Sequence, residues 1–225
     1  NLIIKSNNMK RFLLSLILCF VGFVAYTQND KTAIDYKNEG NEALRAKDYS
    51  KALQLYEQAL GKWGNEPKDT AMTYNMAVCA YQAKDYDKAQ KLLDESIAMN
   101  YKKETALQYK ANIYQLTKND ASYQKALEEA LAASPDNSKL KGRLATFYLK
   151  EANVYYTEGA KILKSAADDV TSGKYKTTDE AYKTAVVKAS EEFKKAMPKV
   201  EKALTIDPEN ATGKQLKTAI EQNVK

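Results

Sequence analysis

Three carboxylate pairs, Glu128-Glu129, Asp168-Asp169 and Glu191-Glu192, and two thiols, Cys19 and Cys79, are the groups in this sequence best equipped for acid–base or covalent chemistry. A pair of acids acts on one substrate atom only if both carboxyl groups converge on it. Each pair lies in a stretch with helical patterning, where adjacent side chains point about 100° apart. The spacing predicts solvated helix surface instead of an acid and a base facing one bond. Histidine is absent from all 225 residues. That removes imidazole as a general base, as the activator of a Ser or Cys nucleophile and as a zinc ligand. Carboxylate or lysine catalysis is the remaining enzymatic alternative. No Gly-rich phosphate loop, G-x-S-x-G elbow or Cys-x-x-Cys pair accompanies it. The expectation is a chain that is not an enzyme and uses no cofactor and no metal.

The thiols have blander readings. Cys79 sits in the apolar run Met76-Ala77-Val78-Cys79-Ala80, where a small buried thiol is expected. Cys19 falls in a leader. Met9-Lys10-Arg11 is a short basic start, Phe12 to Ala25 is apolar, and Ala25-Tyr26-Thr27 places small residues before Gln28. This is the layout of a secretory signal peptide, too short for a membrane span. Leu18 before Cys19 argues against a lipid anchor there. Residues 1–27 are thus read as upstream residues plus leader, starting at Met9, and 28–225 as the mature domain with no membrane span after cleavage. Location in the periplasm or at the cell surface follows.

The elements that carry these groups are helices. Eight Gly and four Pro are too few for the turns of a strand-rich fold. Charged residues make up 28% and mean hydropathy is −0.60. The leader carries Lys5, Lys10 and Arg11 and no acid, so its removal lowers the formal charge of +6 by three. A small charge interspersed with acids predicts no nucleic-acid partner.

The sequence also repeats itself. Tyr49-Ser-Lys-Ala52-Leu-Gln-Leu-Tyr56-Glu-Gln-Ala59-Leu60 aligns with Tyr86-Asp-Lys-Ala89-Gln-Lys-Leu-Leu93-Asp-Glu-Ser96-Ile97, 37 residues on. A third copy runs from Ala121 to Leu131, its Ala130 lying 34 residues after Ser96. A fourth runs from Ala196 to Leu204 and closes with Asp207-Pro208-Glu209-Asn210. In the preceding segments Tyr36, Gly40 and Ala43 are helically spaced, and the place of Gly40 is taken by Ala77 and then by Ala111. These copies resemble the tetratricopeptide repeat, a pair of antiparallel helices with a period of about 34 residues. Pro135 and Pro208 stand at that family's terminal proline position.

The resemblance implies an all-α, right-handed solenoid of helical hairpins, with repeats at about 33–67, 70–101, 104–136 and 138–208. The physical reason is that small residues let paired helices approach while aromatics fill the gap to the next pair. Two departures are expected. Residues 61–67 lengthen the first turn. From Ser138 no breaker occurs until Gly173, with Ala152, Tyr155, Gly159, Ile162, Ala166 and Val170 at helical spacing. The last repeat is therefore expected to expand into a long antiparallel hairpin. Its return helix would begin at a capping box over Thr177–Glu180. It would present Tyr182, Val186, Ala189, Phe193, Ala196, Val200 and Leu204 on one face and kink at Pro198. Residues 210–225 would cap the stack.

Within the resemblance, the first helix of each repeat lines a concave groove. It implies that Lys37, Asn41, Tyr74, Asn75, Tyr109, Asn112 and Arg143 face that groove and hold a protein or peptide partner. Lys37, Asn41 and Asn75 match three positions of the family's carboxylate clamp, whereas its third-repeat cations are replaced by Thr105 and Tyr109. A tyrosine-lined groove suits a polar-aromatic peptide surface. The expected function is a non-catalytic scaffold or adaptor of the cell envelope. The alternative is self-association, a homo-oligomer joined through the apolar hairpin between Glu151 and Leu204.

Overall fold

The computed structural model describes residues 31–224. The leader and Cys19 lie outside the described residues. The chain forms two compact units, one ending at Lys68 and the other beginning at Asp69. Among the described residues every regular element is a helix.

The first unit is the hairpin of α1 (Ala33–Arg45) and α2 (Tyr49–Gly61). Thr32 and Asp35 form a reciprocal capping box that satisfies the first free amides of α1. Gly40 is required by contact: a Cβ there would come within 2.7 Å of the Tyr56 ring, which is wholly buried. The lengthened turn closes on itself, with the Trp63 indole N–H donating to the Pro67 carbonyl at 3.0 Å.

The second unit contains α3 (Thr70–Gln82), α4 (Tyr86–Ala98), α5 (Lys103–Leu116), α6 (Asp120–Ala133), α7 (Ser138–Thr171), α8 (Glu180–Ile206) and α9 (Ala211–Asn223). Helices pair α3 with α4, α5 with α6 and α7 with α8. Each pair stacks on the next, and α9 packs on α8. Small side chains sit at the crossings, as their spacing predicts. Ala77, Ala89, Ala111, Ala130, Ala145 and Ala203 are fully buried. Ser96 is buried too, and its hydroxyl donates to the Tyr101 carbonyl at 2.7 Å, so the polar group is satisfied.

The turns inside the pairs share one construction. Lys84 adopts a left-handed φ of 63°, and the Asp85 amide returns to the Ala80 carbonyl while the Asp85 carboxylate caps α4. Lys47-Asp48 and Lys118-Asn119 repeat the arrangement. One residue thus ends a helix and the next begins another, so the connection stays short.

The last pair is the long hairpin. At 34 and 27 residues, α7 and α8 are about 50 Å and about 40 Å long. Gly159 permits a close approach of the two, because a Cβ there would lie 2.8 Å from Phe193 Cε1 and 3.0 Å from the Ala189 carbonyl oxygen. The Lys199 ammonium reaches Glu151 across the pair at 2.9 Å. Two local details differ from expectation or qualify it. The box over Thr177–Glu180 does not form, because Asp179 takes the N-cap position and its carboxylate accepts the Lys176 amide at 2.8 Å. α8 runs on through Pro198 to Ile206.

Candidate functional site

The seven residues expected to face a groove divide between the two units. Lys37 and Asn41 belong to the first. The Lys37 ammonium stands 5.6 Å from the centre of the Trp63 ring, and Asn41 Oδ1 accepts the Tyr56 hydroxyl at 2.8 Å. Both side chains are therefore held by their own hairpin, one by a cation–π contact and one by a hydrogen bond.

The other five lie in the second unit, on the first helix of each successive pair. Asn75 on α3 and Asn112 on α5 are half-buried, 37 residues apart in sequence. Tyr74 and Tyr109 meet edge to face with ring centres 6.5 Å apart, and Tyr109 also meets Tyr81 at 4.9 Å. Tyr74 is only 7% exposed, packed against Tyr101 with the Lys102 ammonium over its ring. It supports the surface from beneath and contributes little area to it. Burial, with smaller contributions from Tyr109 and Tyr101, pushes its phenol up to about 12. A phenol held neutral that firmly is a packing and hydrogen-bonding group, not a base.

Arg143 on α7 is the most distinctive of the seven. Its guanidinium lies over the Tyr123 ring, 5.5 Å from the centre, and Nε donates to the Tyr123 hydroxyl at 3.4 Å. Nη2 is shielded from solvent and has no hydrogen-bond partner among the described residues. Arg143 lines a cleft of about 340 Å³ with Lys118, Asp120, Thr146 and Lys150 among its walls. Thr146 and Lys150 also line a second cleft of about 510 Å³, bounded by Leu149, Tyr156, Leu216 and Ala219. Sequence reasoning missed Thr146, Lys150 and Asn153. Their signal was present: they follow Arg143 by three, seven and ten residues, which is one face of a helix.

The groups with catalytic potential are dispersed. Glu128 accepts hydrogen bonds from Gln124 and the Tyr148 hydroxyl, which hold its carboxyl below the ordinary range. Asp168 pairs with Lys164, Asp169 with Lys174, and Glu192 with Lys195. Each is a surface ion pair screened by solvent, two of them each within a single helix and the third from a helix end to the turn after it. No group of His, Cys, Asp or Glu among the described residues is arranged to hold a metal. Cys79 is fully buried, and desolvation pushes its thiol up to about 11, opposite to what a nucleophile needs. No described helix is long and apolar enough to cross a membrane.

The family model for the tetratricopeptide repeat matches residues 43–113, from the last turn of α1 into α5. A crystallised protein with tetratricopeptide repeats from Bacteroides fragilis NCTC 9343 is 28% identical, with a TM-score of 0.56. The match covers 84% of this chain and 98% of that one. MamA from Desulfovibrio magneticus RS-1 is 16% identical over 85% of this chain and 90% of its own, with a TM-score of 0.47. No curated protein sequence matches the chain.

Proposed function

As this chain is a tetratricopeptide-repeat protein, we propose that it is a non-catalytic scaffold holding a segment of another polypeptide along the first helices of its hairpins. The reading rests on one observation above the rest. Asn75 and Asn112 lie on successive first helices, about one helical turn apart in the 34-residue register that aligns Ala77 with Ala111, half-exposed, and neither amide hydrogen-bonds to another described residue. Amides spaced that way offer paired donors and acceptors to a ligand backbone, as extended segments need. Tyr109 beside them adds area with a polar tip.

The leader at residues 9–27 motivates the rest of the proposal. The chain acts outside the cytoplasm, in the periplasm or at the cell surface, and its partner is a protein or peptide there. Replacing Asn75 and Asn112 together by Ala should lower partner capture from envelope extract while leaving helix content intact. Unchanged capture removes this surface from the account.

A second reading is self-association through the long hairpin. It is favoured by two apolar side chains left in solvent there, Val154 on α7 at 65% exposure and Val187 on α8 at 58%. Light scattering at high concentration separates the readings: a strict monomer excludes the second.

A further inference from the structure

The two clefts along α7 differ in chemistry and share a wall. The first carries three cations, Lys118, Arg143 and Lys150, against one carboxylate, Asp120. Arg143 is the cation in it whose orientation is fixed by a neighbouring ring. Tyr123 holds its plane and satisfies Nε, while Nη2 is cut off from solvent with no protein acceptor. An atom sealed from water is sealed from a ligand too, so what the cleft offers an incoming carboxylate is the part-exposed remainder of the Arg143 side chain and the excess of three cations over one acid. The second cleft offers Leu149, Tyr156, Leu216 and Ala219, a lining suited to an aliphatic or aromatic side chain.

We propose that the segment bound along α7 is acidic and apolar in pattern, an Asp or Glu carboxylate seated at Arg143 and a bulky apolar side chain in the neighbouring cleft. This rests on the polypeptide-binding reading above and narrows it. The acid sits at Arg143, and Leu149 and Asn153 of the second cleft follow six and ten residues on, about 9–15 Å along the helix. An extended chain covers that distance in about three to five residues. The acid and the apolar side chain are therefore three to five positions apart. A phosphate group suits the first cleft less well than a carboxylate. Asp120 lies 4.0 Å from Lys150 in the same wall, and its charge opposes a dianion more than a monoanion.

Selection of randomised linear peptides on the immobilised full chain tests this directly, followed by anisotropy titration of the enriched peptides. The expected consensus contains an acid and a bulky apolar residue at that separation. Arg143→Gln should weaken those peptides roughly tenfold or more, the loss of one charge-assisted contact. Thr146→Asp is the companion variant. Its site is exposed, so the fold is untouched, and the new carboxylate should repel the same peptides by a similar factor. Enriched peptides with no acid, or full affinity in Thr146→Asp, would overturn the inference while leaving the polypeptide-binding reading standing. Enrichment of no peptide at all would overturn both.

Discussion

The Tyr56 hydroxyl donates to Asn41 Oδ1 at 2.8 Å, while its ring fills the space a side chain at position 40 would need. One aromatic residue on α2 thereby fixes an amide on α1 and demands the glycine one position before it. Gly40→Ala should destabilise the first hairpin by about 1–3 kcal/mol, the usual cost of overpacking. Gly142→Ala is the internal control, since a Cβ there meets open space on helix α7. It should stabilise by about 0.5–1 kcal/mol through helix propensity and unfolded-state entropy. Thermal unfolding of the two variants reads both signs, and a like sign for both contradicts the packing described.

Gly159→Ala should be more damaging to the long hairpin. The Phe193 ring could rotate away from a new methyl, but the Ala189 carbonyl belongs to the α8 backbone and cannot. A cost of about 2–3 kcal/mol is expected, with faster amide exchange in the arms of α7 and α8 and unchanged exchange in α3 and α4. Exchange that rises everywhere equally would mean that the arms do not open as a separate element.

Most of this architecture is legible in the residues because close approach leaves little choice of side chain. Ala89, Ala130 and Ala203 mark helix crossings, and the run from Ser138 to Thr171 without a breaker announces a single long helix. Local polar chemistry is less legible. Thr177 and Asp179 are both good capping residues two positions apart, and only the course of the chain through the turn selects Asp179. The surface is harder still. Asn41 and Tyr74 sit at register positions that suggest ligand contact. One is engaged by Tyr56 and the other lies beneath Tyr101 and Tyr109. The charged cleft at Arg143 needs Lys118 from a turn and Tyr123 from α6, residues whose meeting no helical period encodes.

Alkaline pH should find the tyrosines. Burial pushes both Tyr74 and Tyr148 up to about 12, and the hydrogen bond from Tyr148 to Glu128 adds to its shift. In the unfolded chain these phenols ionise near the ordinary value of 10.0. Between pH 10 and 12 the unfolded chain therefore holds fewer protons than the fold, and stability falls as pH rises. Below that window the contribution is complete. Tyr74→Phe removes one of the two ionisations, so its melting temperature should decline less steeply across the same range. Parallel declines in both proteins would contradict the assignment.

The surface of the first helices is the centre of the account, and site-specific photocrosslinking in intact cells tests it most directly. A photoreactive side chain at Asn112 on α5 should yield covalent adducts with other polypeptides, and one at Val187 on α8 should not. Adducts at Val187 that join two copies of this chain, with none at Asn112, would contradict it.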